Sequence, residues 1–195
     1  MINEEELKNH PRYLHSVGVM EMALKLNEYY NLKVDNNKIR EASLLHDITK
    51  NLSNEENLEI LEKYLPKMIT RELLNVPLIW HSFTGAVVAK IKYHINDEEV
   101  LKAIFYHTTG HKNMTNLEKL IFLSDYIELG RIGDYFEKVR KIAFESLDRA
   151  IVVMLEEQFK YLNAKKSDIY SLSIETYNYY KEVIKNGWRI IENTR

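Results

Sequence analysis

The segment Ala42–Lys50 reads Ala-Ser-Leu-Leu-His-Asp-Ile-Thr-Lys, an apolar stretch that ends in a histidine and an aspartate side by side. Successive residues of a helix are about 1.5 Å apart along its axis, so His46 and Asp47 can both reach one ion near the helix face. Lys50 follows four residues after His46 and lies over the same face. The segment therefore predicts two metal ligands on a helix, with a lysine beside them that can meet a bound anion.

Four further candidate ligands strengthen the prediction of a metal site at the His-Asp pair. Each lies in a different predicted segment: His15, His81, His107 and Asp125. Each also has an ordinary structural interpretation. A histidine such as His15 is often part of the core, and His107 would suit the negative end of a helix dipole. Asp125 could belong to a surface stripe with Glu128 and Arg131. However, a carboxylate inside an apolar helix is expensive to bury without a partner, which favours a metal or a basic residue beside Asp125.

Composition limits the class of protein. A chain of 195 residues with 45% hydrophobic and 29% charged residues fits one globular domain with a sizeable core. The net charge of −2 gives no basic excess for nucleic acid or a membrane surface, so neither is an expected partner. The absence of cysteine excludes disulfides and thiol catalysis. The acidic N-terminus does not resemble a signal peptide, and we expect a cytoplasmic protein.

Six glycines and three prolines are few and favour long helices. Helix starts are predicted at Pro11, at Asp35, at Asn96 or Asp97, and at two capping boxes that begin at Ser53 and Thr115. The prediction is all-α: one domain over residues 1–195 with about nine or ten helices, a motif core at about residues 10–140, and C-terminal helices over residues 141–195 packing on it. Gly85 indicates either a close approach of another backbone or a ligand, or an ordinary packing requirement within its helix. The aromatic residues of the last helix are either core or a platform for a base: Tyr177, Tyr179, Tyr180 and Trp188.

The candidate ligands offer nitrogen and oxygen without sulfur, a set that suits iron, manganese, cobalt or zinc. Four of them would hold one ion: His15, His46, Asp47 and Asp125. Asp47 could also bridge to a second ion, which His81 and His107 would complete. Two ions about 3.5–4 Å apart can generate a hydroxide near neutral pH and stabilise phosphoryl transfer. Three cations are placed to neutralise phosphate oxygens: Arg12, Lys50 and Arg131.

The order H…HD…H…H…D resembles the HD-domain metal-dependent phosphohydrolases. More narrowly, the chain is similar to the bacterial YqeK group, the symmetrical bis(5′-nucleosyl)-tetraphosphatases. The segments that carry this resemblance are Arg12–Val19 (RYLHSVGV), Leu45–Lys50 (LHDITK), His81 with Gly85-Ala86, His107–Gly110 (HTTG) and Ser124–Arg131 (SDYIELGR). Three positions depart from the family pattern: Ser124 stands where alanine is usual, Leu129-Gly130 replaces a proline-containing turn, and His111 replaces a common arginine.

The resemblance implies a helical HD bundle that cleaves diadenosine tetraphosphate into two ADP by a metal-bound hydroxide at a dinuclear centre, with iron favoured. It assigns the catalytic role to His46, Asp47 and Lys50. Substrate contacts are implied for His81 and His107, and phosphate contacts for Arg12, Lys50, Thr108 and Arg131. The C-terminal helices would close the nucleotide pocket, with Ser171 and Thr176 in the segment that contacts a nucleoside.

Three alternatives stay open. The first is an HD-family nucleotidase or pyrophosphatase with the same metals and another nucleotide. The second is a helical metal-binding module of the hemerythrin type, although no His-x-x-x-His or His-x-x-x-Glu pair lies near the His-Asp pair. The third is a purely structural helical protein. The expected partner is a small nucleotide, and the many aromatic residues are compatible with a homodimer.

Overall fold

A computed structural model describes the backbone of residues 4–193 and the side chains of residues 4–186. The described residues contain α-helices and no β-strand, which confirms the all-α prediction. The helices are α1 Glu4–Leu7, α2 Tyr13–Tyr29, α3 Asn36–Leu45, α4 Asn54–Tyr64, α5 Arg71–Leu74, α6 Trp80–Ile91, α7 Glu98–Phe105, α8 Asn116–Ile127, α9 Asp134–Ala143, α10 Leu147–Ala164 and α11 Ser171–Asn193. Two of these eleven, α1 and α5, are single turns of four residues.

Most predicted helix starts are confirmed by their caps. The Asp35 and Asp97 carboxylates accept hydrogen bonds from backbone amides in the first turns of α3 and α7. Ser53 and Thr115 form complete capping boxes. The prediction that Pro11 opens α2 is wrong by two residues, because α2 begins at Tyr13 and no side chain caps it.

The segment after α3 differs from the prediction. The helix ends at Leu45, and the chain continues in tight turns in which the amides of Ile48 and Lys50 donate to the carbonyls three residues earlier, at 3.1 and 3.0 Å. Asp47 therefore lies in a turn and not on a helix face. The tight turns aim its carboxylate across the end of α3, which allows it to meet residues from several helices.

The elements that carry the candidate ligands pack around one core. Helix α2 packs on α3 and α8, α3 packs on α7, and α7 packs on both α6 and α8. The largest fully buried aliphatic side chains come from all these helices except α6 and include Leu26, Ile39, Leu45, Ile104 and Leu120. Because burying such a side chain contributes about 1.5–3 kcal/mol, this core fixes the helix ends at which the candidate ligands lie.

Close approach of α6 to the segment after α3 explains Gly85. A Cβ atom at this position would lie 3.2 Å from the carbonyl oxygen of His46. The prediction that Gly85 marks a close backbone approach is confirmed. Glycine here lets α6, with His81 in its first turn, lie directly against the His-Asp pair.

The C-terminal helices pack on the motif core through α8, with α10 contacting α8, α9 and α11. Tyr180 of α11 is only 1% exposed, and its hydroxyl accepts a hydrogen bond from the amide of Met114 at 2.9 Å. Its aromatic ring therefore belongs to the core. The Trp188 side chain lies outside the described residues. Among the described helices, none is both long and apolar enough to cross a bilayer.

Candidate metal centre

One group of candidate ligands joins α2, the end of α3 and α8. Nε2 of His15 lies 2.9 Å from Oδ1 of Asp125 and 3.3 Å from Nε2 of His46. Oδ2 of Asp47 is 3.5 Å from Nε2 of His46 and 3.7 Å from that of His15. The four ligand atoms all lie within 4.8 Å of one another, a spacing at which they could hold one ion.

A second group joins the first turn of α6 to the chain just after α7. Nε2 of His81 lies 3.2 Å from Nε2 of His107. Both nitrogens face Oδ1 of Asp47, at 3.2 and 3.5 Å. All three residues are almost fully buried. The structure thus brings together all six candidate ligands, and Asp47 turns one carboxylate oxygen toward each group, as a bridging carboxylate must.

The hydrogen bonds of Nδ1 in His46 and His107 show which nitrogen of each ring is directed at the ligand groups. Nδ1 of His46 is 2.7 Å from the carbonyl oxygen of Ser43, and Nδ1 of His107 is 2.7 Å from that of Ile104. A carbonyl oxygen only accepts, so Nδ1 donates in both rings and Nε2 is the nitrogen directed at the two groups. These Nε2 atoms and the carboxylate oxygens face one another, an arrangement that a bound cation would stabilise. The donor set therefore fits transition-metal ions, whose histidine ligands commonly donate their other N–H in this way.

The two groups differ in charge. Burial by itself lowers the pKa of His46, but the carboxylates of Asp47 and Asp125 outweigh it and raise that pKa to about 10. Burial, His107 and Lys50 lower the pKa of His81 to about 4 against the attraction of Asp47. The two carboxylates of the first group thus attract positive charge strongly, whereas His81 of the second group stays a neutral imidazole near neutral pH.

Glu128 is a member of the site that the sequence interpretation missed. The sequence allows a surface stripe as one alternative for this residue, but its side chain is buried, and its Oε1 lies 3.3 Å from Nδ1 of His15. Two glycines make room for the carboxylate: a Cβ at Gly18 would lie 2.7 Å from Oε2, and one at Gly130 would lie 2.8 Å from it. The Gly130 amide also donates to Oε2 at 2.5 Å. Glu128 therefore holds His15 with Nε2 directed at the first group.

The turn after α8 is anchored by Arg140 of α9, another residue that the sequence interpretation missed. Its guanidinium donates to the carbonyl oxygens of Ile127, Glu128 and Arg131 at 2.8–3.0 Å. Three backbone acceptors in one turn are thereby satisfied by one charged side chain. This anchorage fixes the loop that carries both Glu128 and Arg131.

The predicted phosphate-binding side chains border the two groups. Arg12 donates to Oδ2 of Asp47 through Nε at 2.9 Å, and its Nη2 lies 2.8 Å from the same oxygen. Arg131 reaches Oδ1 of Asp125 at 3.1 Å, and Nζ of Lys50 lies 3.1 Å from Nε2 of His81. Three cations thus surround the carboxylate-rich end of the site.

Thr108 and Lys50 also line a cavity of about 560 Å³ that opens from the second group. Thr108 donates to the hydroxyl of Ser82 at 3.0 Å. The wall opposite the histidines is formed by α10 and the chain that precedes α11, with Gln158, Phe159, Tyr161 and Tyr170. This volume is within the range of small-molecule sites, and the C-terminal segment forms part of its wall.

The structure does not bring Ser171 or Thr176 to this cavity. The amide and hydroxyl of Ser171 donate to the Glu72 carboxylate at 2.6 and 3.0 Å. Thr176 is fully buried, and its hydroxyl donates to the carbonyl of Leu172. Ser173, between them in sequence, does line the cavity. Helical rotation decides which of these three side chains faces it.

The helical bundle and its paired His/Asp groups are features of a metal-dependent phosphohydrolase domain. Residues 12–130 match the family model described as HD domain. The chain belongs to the HD domain family.

Its similarity to individual proteins extends beyond that domain. It is 34% identical to the symmetrical bis(5′-nucleosyl)-tetraphosphatase of Bacillus subtilis, over 90% of this chain and 92% of that protein. It is 38% identical to the protein of the same name from Staphylococcus aureus, over 87% and 86%. A crystal structure of a predicted HD superfamily hydrolase involved in NAD metabolism from Clostridium acetobutylicum matches with a TM-score of 0.87 and 34% identity, over 93% of this chain and 98% of that chain. These relatives confirm the resemblance read from the motifs.

Proposed function

We propose that this chain is a metal-dependent hydrolase that cleaves diadenosine tetraphosphate symmetrically into two ADP. The observation that carries the proposal is the division of the Asp47 carboxylate between two histidine groups, with Oδ2 toward one and Oδ1 toward the other. Relatives that match most of the chain are named symmetrical bis(5′-nucleosyl)-tetraphosphatases, and this supports the choice of substrate.

The cofactor in this proposal is a pair of transition-metal ions, with iron favoured over manganese, cobalt or zinc. The ligands are His15, His46, Asp47 and Asp125 for one ion and Asp47, His81 and His107 for the other. Bound ions would supply the positive charge that makes water a nucleophile near neutral pH and stabilises phosphoryl oxygens. Buried nitrogen and oxygen donors without sulfur suit such ions.

The protein's own side chains bind and orient the polyphosphate. Arg131 and Arg12 already lie against carboxylates of the site, and their guanidinium groups match phosphate geometry. Lys50 lies over the second group as a point charge for the leaving diphosphate. Thr108, on the cavity wall, offers a hydroxyl to a phosphate oxygen or to the ribose beside it.

The reaction consumes one water molecule. The water oxygen forms a bond to one of the two central phosphorus atoms, and the bond from that phosphorus to the central bridging oxygen breaks. The bridging oxygen leaves with the other half of the molecule as ADP, and the attacked half becomes the second ADP. The water gives up a proton in the process. No side chain of the protein forms a covalent bond with the substrate.

The products decide between this function and its nearest alternative. Incubation of the metal-loaded protein with diadenosine tetraphosphate should give ADP alone, whereas asymmetrical cleavage would give ATP and AMP. A second reaction with AMP tests for phosphate release. Phosphate from AMP together with an intact dinucleotide would contradict the proposal and identify a nucleotidase.

A further inference from the structure

Two cavities meet at the metal centre. Beyond the cavity of about 560 Å³ already described, a second one of about 1030 Å³ lies between the α8–α9 segment and α10. Both are bordered by Lys50 and Asp125, and Tyr126, Gln158 and Tyr161 contribute to both walls. The ligand groups are therefore at the junction of two compartments.

Aromatic side chains line the second cavity. Tyr135 and Tyr161 are 64% and 63% exposed, which is unusual for rings of this size. Phe136 lies behind them, with its ring 5.0 Å from that of Tyr126. Arg131 is at the edge of the cavity nearest the metal centre. The second cavity thus combines rings that can stack on a planar base with a cation where phosphates would enter.

We infer that the second cavity binds the second nucleoside of a dinucleoside polyphosphate. This inference rests on the proposed function. It explains why a substrate with two nucleosides would be preferred over one with a single nucleoside. Symmetrical cleavage requires the central bridge of the tetraphosphate to lie at the metal centre. The two halves must then extend from that point in different directions, and a cavity opens on each side of it.

The two cavities have different roles in this arrangement. The first is lined by the metal-ligand histidines, Thr108 and Tyr170, and binds the nucleoside that every substrate carries. The second is lined by Tyr135, which stacks on the additional base. A substrate with one nucleoside fills only the first cavity.

The test compares diadenosine tetraphosphate with adenosine 5′-tetraphosphate, which lacks the second nucleoside and would be hydrolysed to ADP and pyrophosphate. Tyr135→Ala should raise KM and lower kcat/KM for the dinucleotide by roughly fivefold or more, since base–aromatic stacking is worth at least that factor. Its kcat/KM for adenosine 5′-tetraphosphate should be unchanged. Tyr135→Phe keeps the ring and should recover most of the kcat/KM for the dinucleotide that Tyr135→Ala loses.

Two further variants serve as controls. Tyr170→Ala in the first cavity should lower kcat/KM for both substrates. Tyr29→Ala removes a ring of similar exposure, 61%, that lines neither cavity, and it should leave kcat/KM for both substrates unchanged. If Tyr135→Ala changed kcat/KM equally for the two substrates, or changed neither, the second nucleoside site would be overturned. Formation of ADP by the wild type would still leave the proposed function intact. Failure of the wild type to form ADP from either substrate would overturn both.

Discussion

Oε1 of Glu128 lies 3.3 Å from Nδ1 of His15, an interaction that joins residues 113 positions apart. It directs the opposite nitrogen of the ring at Asp125. Two glycines leave space for this carboxylate, so three residues outside the candidate ligand set orient one candidate ligand, His15.

Replacing Glu128 tests whether this support matters for metal binding. In Glu128→Ala, His15 loses the partner that fixes its orientation, and we expect metal affinity to fall by about 10–100-fold. Competition with a chelator measures it. Glu118→Ala is the matched control, because Glu118 is equally buried but accepts bonds from Thr115 and His111. It should lose stability and keep metal affinity. Equal affinity in the two variants would argue against the role of Glu128.

Gly18→Ala tests the same contact from the opposite side. The added methyl would lie 2.7 Å from Oε2 of Glu128, and the flexible carboxylate must move away. Alanine in a helix is more stable than glycine by about 0.5–1 kcal/mol, so unfolding stability should hold or rise while metal affinity falls. Combining it with Glu128→Ala should add little, because both changes break one interaction. An undiminished metal affinity in Gly18→Ala would contradict the steric argument.

Lys50→Ala tests whether Lys50 acts on the substrate during cleavage and not on metal binding. Its Nζ lies beside His81 and in the wall of both cavities. Removing a charge that stabilises the leaving diphosphate should lower kcat by about 10²–10³-fold, with metal content unchanged. Lys67→Ala, in the turn Pro66–Met68, is the surface control and should be fully active. Loss of bound metal in Lys50→Ala would show instead that the lysine supports the metal site.

Ser124→Ala tests the cost of a polar atom in the core. Ser124 is fully buried, and its hydroxyl has no hydrogen-bond partner among the described residues. An unsatisfied buried hydroxyl costs about 1–3 kcal/mol, so alanine should raise the free energy of unfolding by an amount in this range. Urea denaturation measures the change. A loss of stability would mean that the hydroxyl makes a contact that this account omits.

The grouping of the six candidate ligands could be predicted because each has a chemical signature and a spacing that resembles the family's. The cap residues Ser53 and Thr115 were equally predictable, since capping is a local interaction. Glu128 was not, because its burial depends on glycines in two different segments. The end of α3 at Leu45 follows from turns that bring Asp47 to distant helices, which local periodicity does not report.

The C-terminal contacts depend on tertiary packing in the same way. Ser171, Ser173 and Thr176 are equally polar in sequence. Only the rotation of α11 against its neighbours decides that Thr176 is buried and that Ser173 faces the cavity.

In the proposed function, Asp47 joins two metal ions in one hydrolytic centre. The most direct test of this is metal analysis of anaerobically purified wild-type protein and Asp47→Ala, with ADP release from diadenosine tetraphosphate measured on the same samples. We predict two ions per chain and ADP formation in the wild type, and loss of both in Asp47→Ala while circular dichroism stays helical. A metal-free Asp47→Ala preparation that retained full activity would contradict the account.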